Sequence, residues 1–344
     1  MPDTISFPSN FELRKILQER IPELTKDDPI FEHFPVTAGK YFRVEWEQQD
    51  NFTGLQQLRG LNGQPVRVGP IGSKRMAMEP GVYGEVSQID EAVMTAKRQM
   101  ATMGEPVDVT DEISIRTQHL QGREIDRMRQ VLWSVATTGT FLVLNRDGTV
   151  MYTDRFPIAT VAAAVPWSNL TLATPFSDIR DIAILNLGTS VSFGSDARFY
   201  VSRPKINQLL KNVNPNDYGR IRGQYGVTLS TLSDINKFLQ DDGLPQIVGY
   251  DGNYLDEATG LPVRLMPADR GVLIGKRTTG EPIGAYQVCR NAVNLTPDGD
   301  SDSEGGSYTI VKVRDEVPPT IEVHQGHNGG PELDFPSALK ILLC

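Results

Sequence analysis

The histidines offer the first chemistry to weigh. His324 and His327 stand three residues apart, which on a helix would set two imidazoles on one side, ready for a divalent metal. Gly326, Gly329 and Gly330 surround them and point to a loop instead, and no cysteine or carboxylate cluster completes a ligand set. Asp298, Asp300 and Asp302 match the first three ligand positions of a calcium loop. The pattern then fails, because Ser303 stands where the turn needs glycine and Thr309 where a bidentate glutamate belongs. The reading there is a solvated acidic loop over 298–306. The run Gly219 to Gly226 is glycine-rich and basic, but lacks the Lys-Ser or Lys-Thr that a phosphate cradle requires. Gly194-Ser195-Asp196 lacks the spacing of a nucleophile elbow, and His33 and His119 have no visible catalytic partner. No nucleophile, base and oxyanion site assembles along the chain, so the sequence names no catalytic residue, metal ligand or cofactor-binding residue.

Composition bounds the class of chain. The 344 residues permit one large or two modest domains, and 39% hydrophobic with 22% charged residues suits a globular protein. A net charge of -9 argues against a broad grip on nucleic acid, which needs clustered Lys and Arg. No apolar run approaches the roughly 20 residues of a membrane span. Met1 to Asn10 lacks the charged and apolar regions of a secretory signal. Cys289 and Cys344 give no disulfide framework, and a reducing compartment is the expectation.

The elements that would carry those surfaces can be read in order. One long helix, Asp111 to Thr138, organises the chain. Ile113, Leu120, Ile125, Met128, Leu132 and Val135 recur at the helical period, Asp111 and Glu112 suit the first turn, and Gly139 supplies a stop. At about 1.5 Å per residue it would be roughly 40 Å long. Gly122 lies inside it and marks where it would bend or break. Upstream, Ser9 to Ile21 reads as an amphipathic helix ended by Pro22, and residues 22–40 read as an extended arm whose Phe31 and Phe34 need another surface to cover them. Residues 41–86, with seven glycines among isolated apolar residues, read as a long two-stranded excursion with a mobile tip near Leu61-Asn62-Gly63-Gln64. Ser87 to Asp90 has capping-box spacing and opens a helix to about Met103. Phe141 to Asn145 and Thr149 to Phe156 form a hairpin about Asp147-Gly148. From Trp167 a mixed α/β stretch follows, with helices over 177–187, 205–212 and 231–240, strands at 198–201, 246–250, 263–267, 271–275 and 308–314, and a final strand at 339–343.

That order resembles the major capsid proteins of tailed bacteriophages with the Hong Kong 97-like fold, and within it the lambda-type branch. The residues that carry the likeness are collinear. Phe31-Glu32-His33-Phe34-Pro35-Val36-Thr37 resembles the segment leading from arm to extended loop. Leu132 to Gly139 and then Phe141 to Phe156 resemble the helix end and hairpin. Trp167 with Asp178-Ile179 resembles the passage into the axial domain, and Val248-Gly249-Tyr250, Leu265-Met266-Pro267 and Val272-Leu273-Ile274-Gly275 resemble its strands. The resemblance implies an α+β chain divided into an N-terminal arm (1–40), an extended loop (41–86), a peripheral domain with the spine helix (87–160), an axial domain (161–320) and a C-terminal return (321–344). It implies a structural protein, not an enzyme, without cofactor. Its partners would be copies of itself in hexamers and pentamers, with portal, scaffolding and decoration proteins as further candidates, packaged double-stranded DNA touched only non-specifically, and no membrane. Assembly would take place in the host cytoplasm and the product would be the icosahedral shell of the virion. Phe31, Phe34, Arg59, Arg67, Lys74 and Arg75 are then the expected inter-subunit contacts, the four cations pairing with acidic groups of a neighbour. Three alternatives compete: an encapsulin-type nanocompartment shell, a soluble α/β enzyme with its site between the halves, and an adhesin or tail-fibre module. The last two leave either the 41–86 excursion or the long helix unexplained.

Overall fold

The computed structural model describes residues 19–49, 58–59, 61, 63–64, 73–98, 108–145, 149–184, 191–212, 214, 231–256, 259–292, 305–314 and 320–344. A helical stretch at 19–25 (α1) and α2 (Ile30–His33) precede β1 (Val36–Ala38), β2 (Val44–Gln49), β3 (Ser73–Met78) and β4 (Gly81–Ile89). Then come α3 (Glu91–Arg98), α4 (Thr110–Thr138), β5 (Thr140–Leu144), β6 (Val150–Arg155), β7 (Ala159–Ala162) and α5 (Pro175–Ile184). β8 (Val191–Ser192), β9 (Arg198–Val201), α6 (Arg203–Lys211), α7 (Leu232–Asp241), β10 (Gln246–Gly249), β11 (Asn253–Asp256) and β12 (Leu261–Arg264) follow. The chain closes with β13 (Arg270–Ile274), β14 (Lys276–Arg277), β15 (Gly284–Cys289), β16 (Tyr308–Arg314), β17 (Thr320–Leu333) and β18 (Leu339–Leu343). Packing divides it into two units, residues 1–45, 77–131 and 285–332 in the first, and 46–76, 132–284 and 333–344 in the second.

In the first unit β17 is the backbone of the sheet. It pairs antiparallel with β4, Ile321 opposite Ile89 through Gly329 opposite Gly81, and with β16, Thr320 opposite Arg314 through Gly326 opposite Tyr308. β15 lies beside β17, and β1 runs parallel to β15. The apolar stripe of α4 closes the inner face: Ile113 and Leu120 pack with Ile89, Val109, Val311, Ile321 and Val323 in one buried cluster. The glycines around His327, read as a loop, instead lie inside this strand. A Cβ at Gly326 would come within 2.3 Å of the Tyr83 carbonyl oxygen, so close strand approach, not turning, is what requires glycine there. Ser87 likewise belongs to β4, and Asp90 is the residue whose carbonyl receives the first α3 amides, from Val93 and Met94. Nor does Pro22 end the first helix, which continues to residue 25, where Thr25 Oγ1 donates to Ile21 O at 2.9 Å. Helix α4 runs unbroken through Gly122.

In the second unit a five-stranded sheet has the order β10-β9-β13-β18-β7. β10 runs parallel to β9 and β7 parallel to β18, while β13 is antiparallel to both its neighbours. The C-terminal part of α4 contributes Trp133, whose ring centre is 4.2 Å from that of Tyr250 and 5.5 Å from that of Tyr200. Gly139, at φ 68°, ends that helix, its N–H donating to Val135 O at 2.8 Å, and Arg270 Nη1 of β13 donates to the Thr137 carbonyl at 3.1 Å. Phe176 of α5 meets Phe238 of α7 edge to face, and Thr231 with Asp234 forms a capping box at the start of α7. Trp167 Nε1 donates to Asp178 at 2.9 Å, joining two residues that the sequence places eleven apart.

Candidate functional site

Three buried polar residues of the first unit, Ser307, Gln325 and His327, converge on one carboxylate. Glu124 sits on α4 between Leu120 and Met128, each four residues away, so helical geometry puts it on the inward stripe. Its Oε1 accepts from Ser307 Oγ and lies 3.1 Å from His327 Nδ1, and its Oε2 accepts from Gln325 Nε2 at 2.7 Å. His327 and Gln325 are two apart on β17 and therefore share the inner face. Beyond the imidazole, Nε2 is 2.9 Å from the Tyr286 hydroxyl. Tyr83 of β4 lies against the His327 ring at 5.2 Å, and the Arg127 guanidinium sits 5.5 Å from the centre of the Tyr83 ring. Burial pushes the Glu124 carboxyl up. The charge of His327 and the hydrogen bonds from His327, Ser307 and Gln325 outweigh burial and hold it below the usual glutamate range.

Carboxylate, imidazole and hydroxyl in line form the order of a proton relay. This one has no open end. The His327 side chain is 0% exposed, that of Glu124 7%, and Tyr286 is fully buried. Burial, with Tyr83, Glu124 and Cys289 adding to it, drives the Tyr286 hydroxyl far above its ordinary value, so it keeps its proton and is not a nucleophile. The arrangement fastens α4 to the sheet. His324, on the opposite face of β17, pairs with Glu322 at 3.0 Å, so the two histidines do not converge. Among the described residues no group of three His, Cys, Asp or Glu could hold a metal ion.

The residues expected at inter-subunit contacts fall into two groups. Phe31 is 7% and Phe34 0% exposed, both covered by their own chain. The segment read as an extended arm contains α2, started by an Asp28 carboxylate that accepts from Ile30 N at 3.0 Å and pairs with Arg129 of α4 at 2.9 Å. Lys74 and Arg75 lie exposed on β3, and Arg59 is exposed with Nη1 donating to Gly63 O at 3.4 Å. Arg67, Asn62 of the expected turn at 61–64, the glycine-rich run at 219–226 and the acidic loop through residue 304 lie outside the described residues. Surfaces that the sequence reading did not single out are apolar. The two-stranded β5–β6 ribbon turns Phe141 and Val143 inward and exposes Leu142, Leu144, Val150 and Met151, and the β11–β12 ribbon exposes Leu255 and Leu261. The alternation within Thr140 to Leu144 held that signal, since both of its faces are apolar.

No family model and no curated protein matches the sequence. Solved structures do. A crystal structure assigned as the capsid protein of a prophage of E. coli CFT073 aligns with a TM-score of 0.60 at 15% identity, covering 98% of this chain and 99% of that one. A phage-related protein from Bordetella bronchiseptica RB50 aligns with a TM-score of 0.52 at 12% identity, covering 98% and 97%. The chain therefore has a phage capsid protein fold, α+β, along nearly its whole length.

Proposed function

We propose that this protein is the major capsid protein of a tailed phage or prophage and assembles as hexamers and pentamers into an icosahedral shell around double-stranded DNA. The observation that carries the reading is the end-to-end likeness to the prophage capsid protein, 98% of one chain on 99% of the other. The surfaces support it. Exposed Leu142, Leu144 and Met151 on a two-stranded ribbon make a patch of the kind that marks an interaction site. The domain plan follows the same reading: an arm over 1–40, an extended loop over 41–86, a peripheral domain over 87–160 with α4 as spine, an axial domain over 161–320 and a return over 321–344. The lambda-type branch, assembly in the host cytoplasm, and portal, scaffolding and decoration partners belong to this proposal as well. So does a structural, non-catalytic role. Arg59, Arg67, Lys74 and Arg75 would meet acidic groups on a neighbour, while Phe31 and Phe34 would anchor the arm on its own chain. A net charge of -9 suits a container that must not trap its polyanionic contents.

Replacing residues 50–72 by a short Gly-Ser linker keeps β2 and β3 and removes the expected reach to a neighbour. Sedimentation velocity should show large assemblies for the full chain and a folded small species for the shortened one. A full chain that stays small and monodisperse under crowding and physiological salt would overturn the reading.

A further inference from the structure

The two edges of the second unit's sheet are treated differently. On β10, Gln246 N donates to Ala197 O and Tyr250 N to Val201 O, so backbone alternation turns Ile247 away from β9. Asn236 of α7 meets it with both ends of its amide: Ile247 N donates to Oδ1 at 2.8 Å, and Nδ2 donates to Ile247 O at 2.8 Å. In the first unit Gln287 closes the start of β2 in the same way, taking a bond from Glu45 N at 3.1 Å and giving one to Glu45 O at 3.4 Å. β16, an edge of that unit's sheet, carries exposed Lys312 and Arg314, charges that deter an added strand.

β7 carries none of these devices. It lies in an uncharged run, Ile158 to Val165, between Pro157 and Pro166, and Ala159, Thr160 and Ala162 are exposed. Ala163 N donates to Leu343 O at 2.8 Å, so residues 159, 161 and 163 bond toward β18, and Thr160 and Ala162 turn their N–H and C=O groups outward. Among the described residues no strand pairs with that side.

We propose that this edge receives an extended segment from a second copy of the chain, an inference that rests on the shell-forming reading above. Small, uncharged side chains leave backbone hydrogen bonding as the recognition chemistry, which calls for an extended partner. The same chain offers one: β3, six residues long against four in β7, pairs only with β2 among the described residues. Donor and acceptor surfaces differ, so the contact is heterologous and leads from copy to copy around a ring. The closed edge at β10 keeps sheets from adding at both ends.

Hydrogen–deuterium exchange on the full-length protein tests it. Peptides covering 158–165 should exchange at least about tenfold more slowly in assembled than in unassembled protein, because the outward amides gain partners. Ala162→Pro deletes one outward N–H while leaving the β18 bonds intact, and should fold with an unchanged circular dichroism spectrum yet lose assembly. Should that variant fail to fold, Ala162→Lys places a charge on the same edge without touching the backbone and should likewise lose assembly. Assembly of the folded variant at the normal level, or shells without protection at 158–165, would overturn the edge proposal alone. Protection already present in unassembled protein would overturn it too, since the chain would then cover its own edge. A wild-type chain that never assembles would instead overturn the functional reading and this proposal together.

Discussion

At the scale of single residues, Glu124 and Asp334 respond to protons in opposite senses. Removing one member of a buried pair strands the other, so Glu124→Ala should cost about 3–5 kcal/mol in denaturant unfolding, and a double-mutant cycle with His327→Gln should show strong coupling. The native Glu124 carboxyl lies below its ordinary 4.5, so the stability it brings is complete above that value and is lost as pH falls through the native value. Asp334 is pushed by burial up to about 6, Arg277 pulling it down and Glu281 adding to the rise. The fold therefore favours its protonated form, and that contribution fades as pH rises from about 4 to about 6. Asp334→Asn should raise the melting temperature at pH 7 and flatten that part of the profile, whereas Glu124→Gln should flatten the acid limb below it. A melting curve of Asp334→Asn that matches wild type across this range would contradict the assignment.

At the scale of elements, the long helix shows how far the sequence speaks. Its span was legible to within a residue, because the stripe from Ile113 to Val135 and the stop at Gly139 are both local signals. Whether Gly122 breaks it was not legible, since neighbouring packing decides that. A Cβ there would meet nothing within 4 Å, so Gly122→Ala should stabilise the chain by about 1 kcal/mol in chemical denaturation. Gly139→Ala, forced into a left-handed backbone, should destabilise it by about 1 kcal/mol instead. The β5–β6 hairpin was equally readable, its strands meeting as Phe141 opposite Asp154. β17 was not, because its Gly326 answers to Tyr83 and Tyr308 on neighbouring strands, residues 243 and 18 positions away in the chain. The Glu124 hub was not singled out in the sequence: Leu120 and Met128, four residues to either side, mark its face of the helix, but the partners Ser307, Gln325 and His327 arrive only through the sheet.

At the scale of the whole molecule, features that are costly in a solitary protein make sense in a closed assembly. Two-stranded ribbons are marginal alone in water, yet β2–β3, β5–β6 and β11–β12 are each paired only within themselves among the described residues. On the shell-forming proposal, the exposed apolar residues on two of them and the unblocked edge at β7 would meet copies of the same chain. Many weak contacts of this kind hold together because all must be lost at once. The likeness to known capsid structures covers the chain end to end although fewer than one residue in six is shared, which is what conservation of packing without conservation of side chains looks like. The most direct measurement is negative-stain electron microscopy of the purified full-length protein at assembly concentration, beside a sizing column. The account predicts closed shells or rings of five and six subunits. A uniform small particle under every condition tried would contradict it.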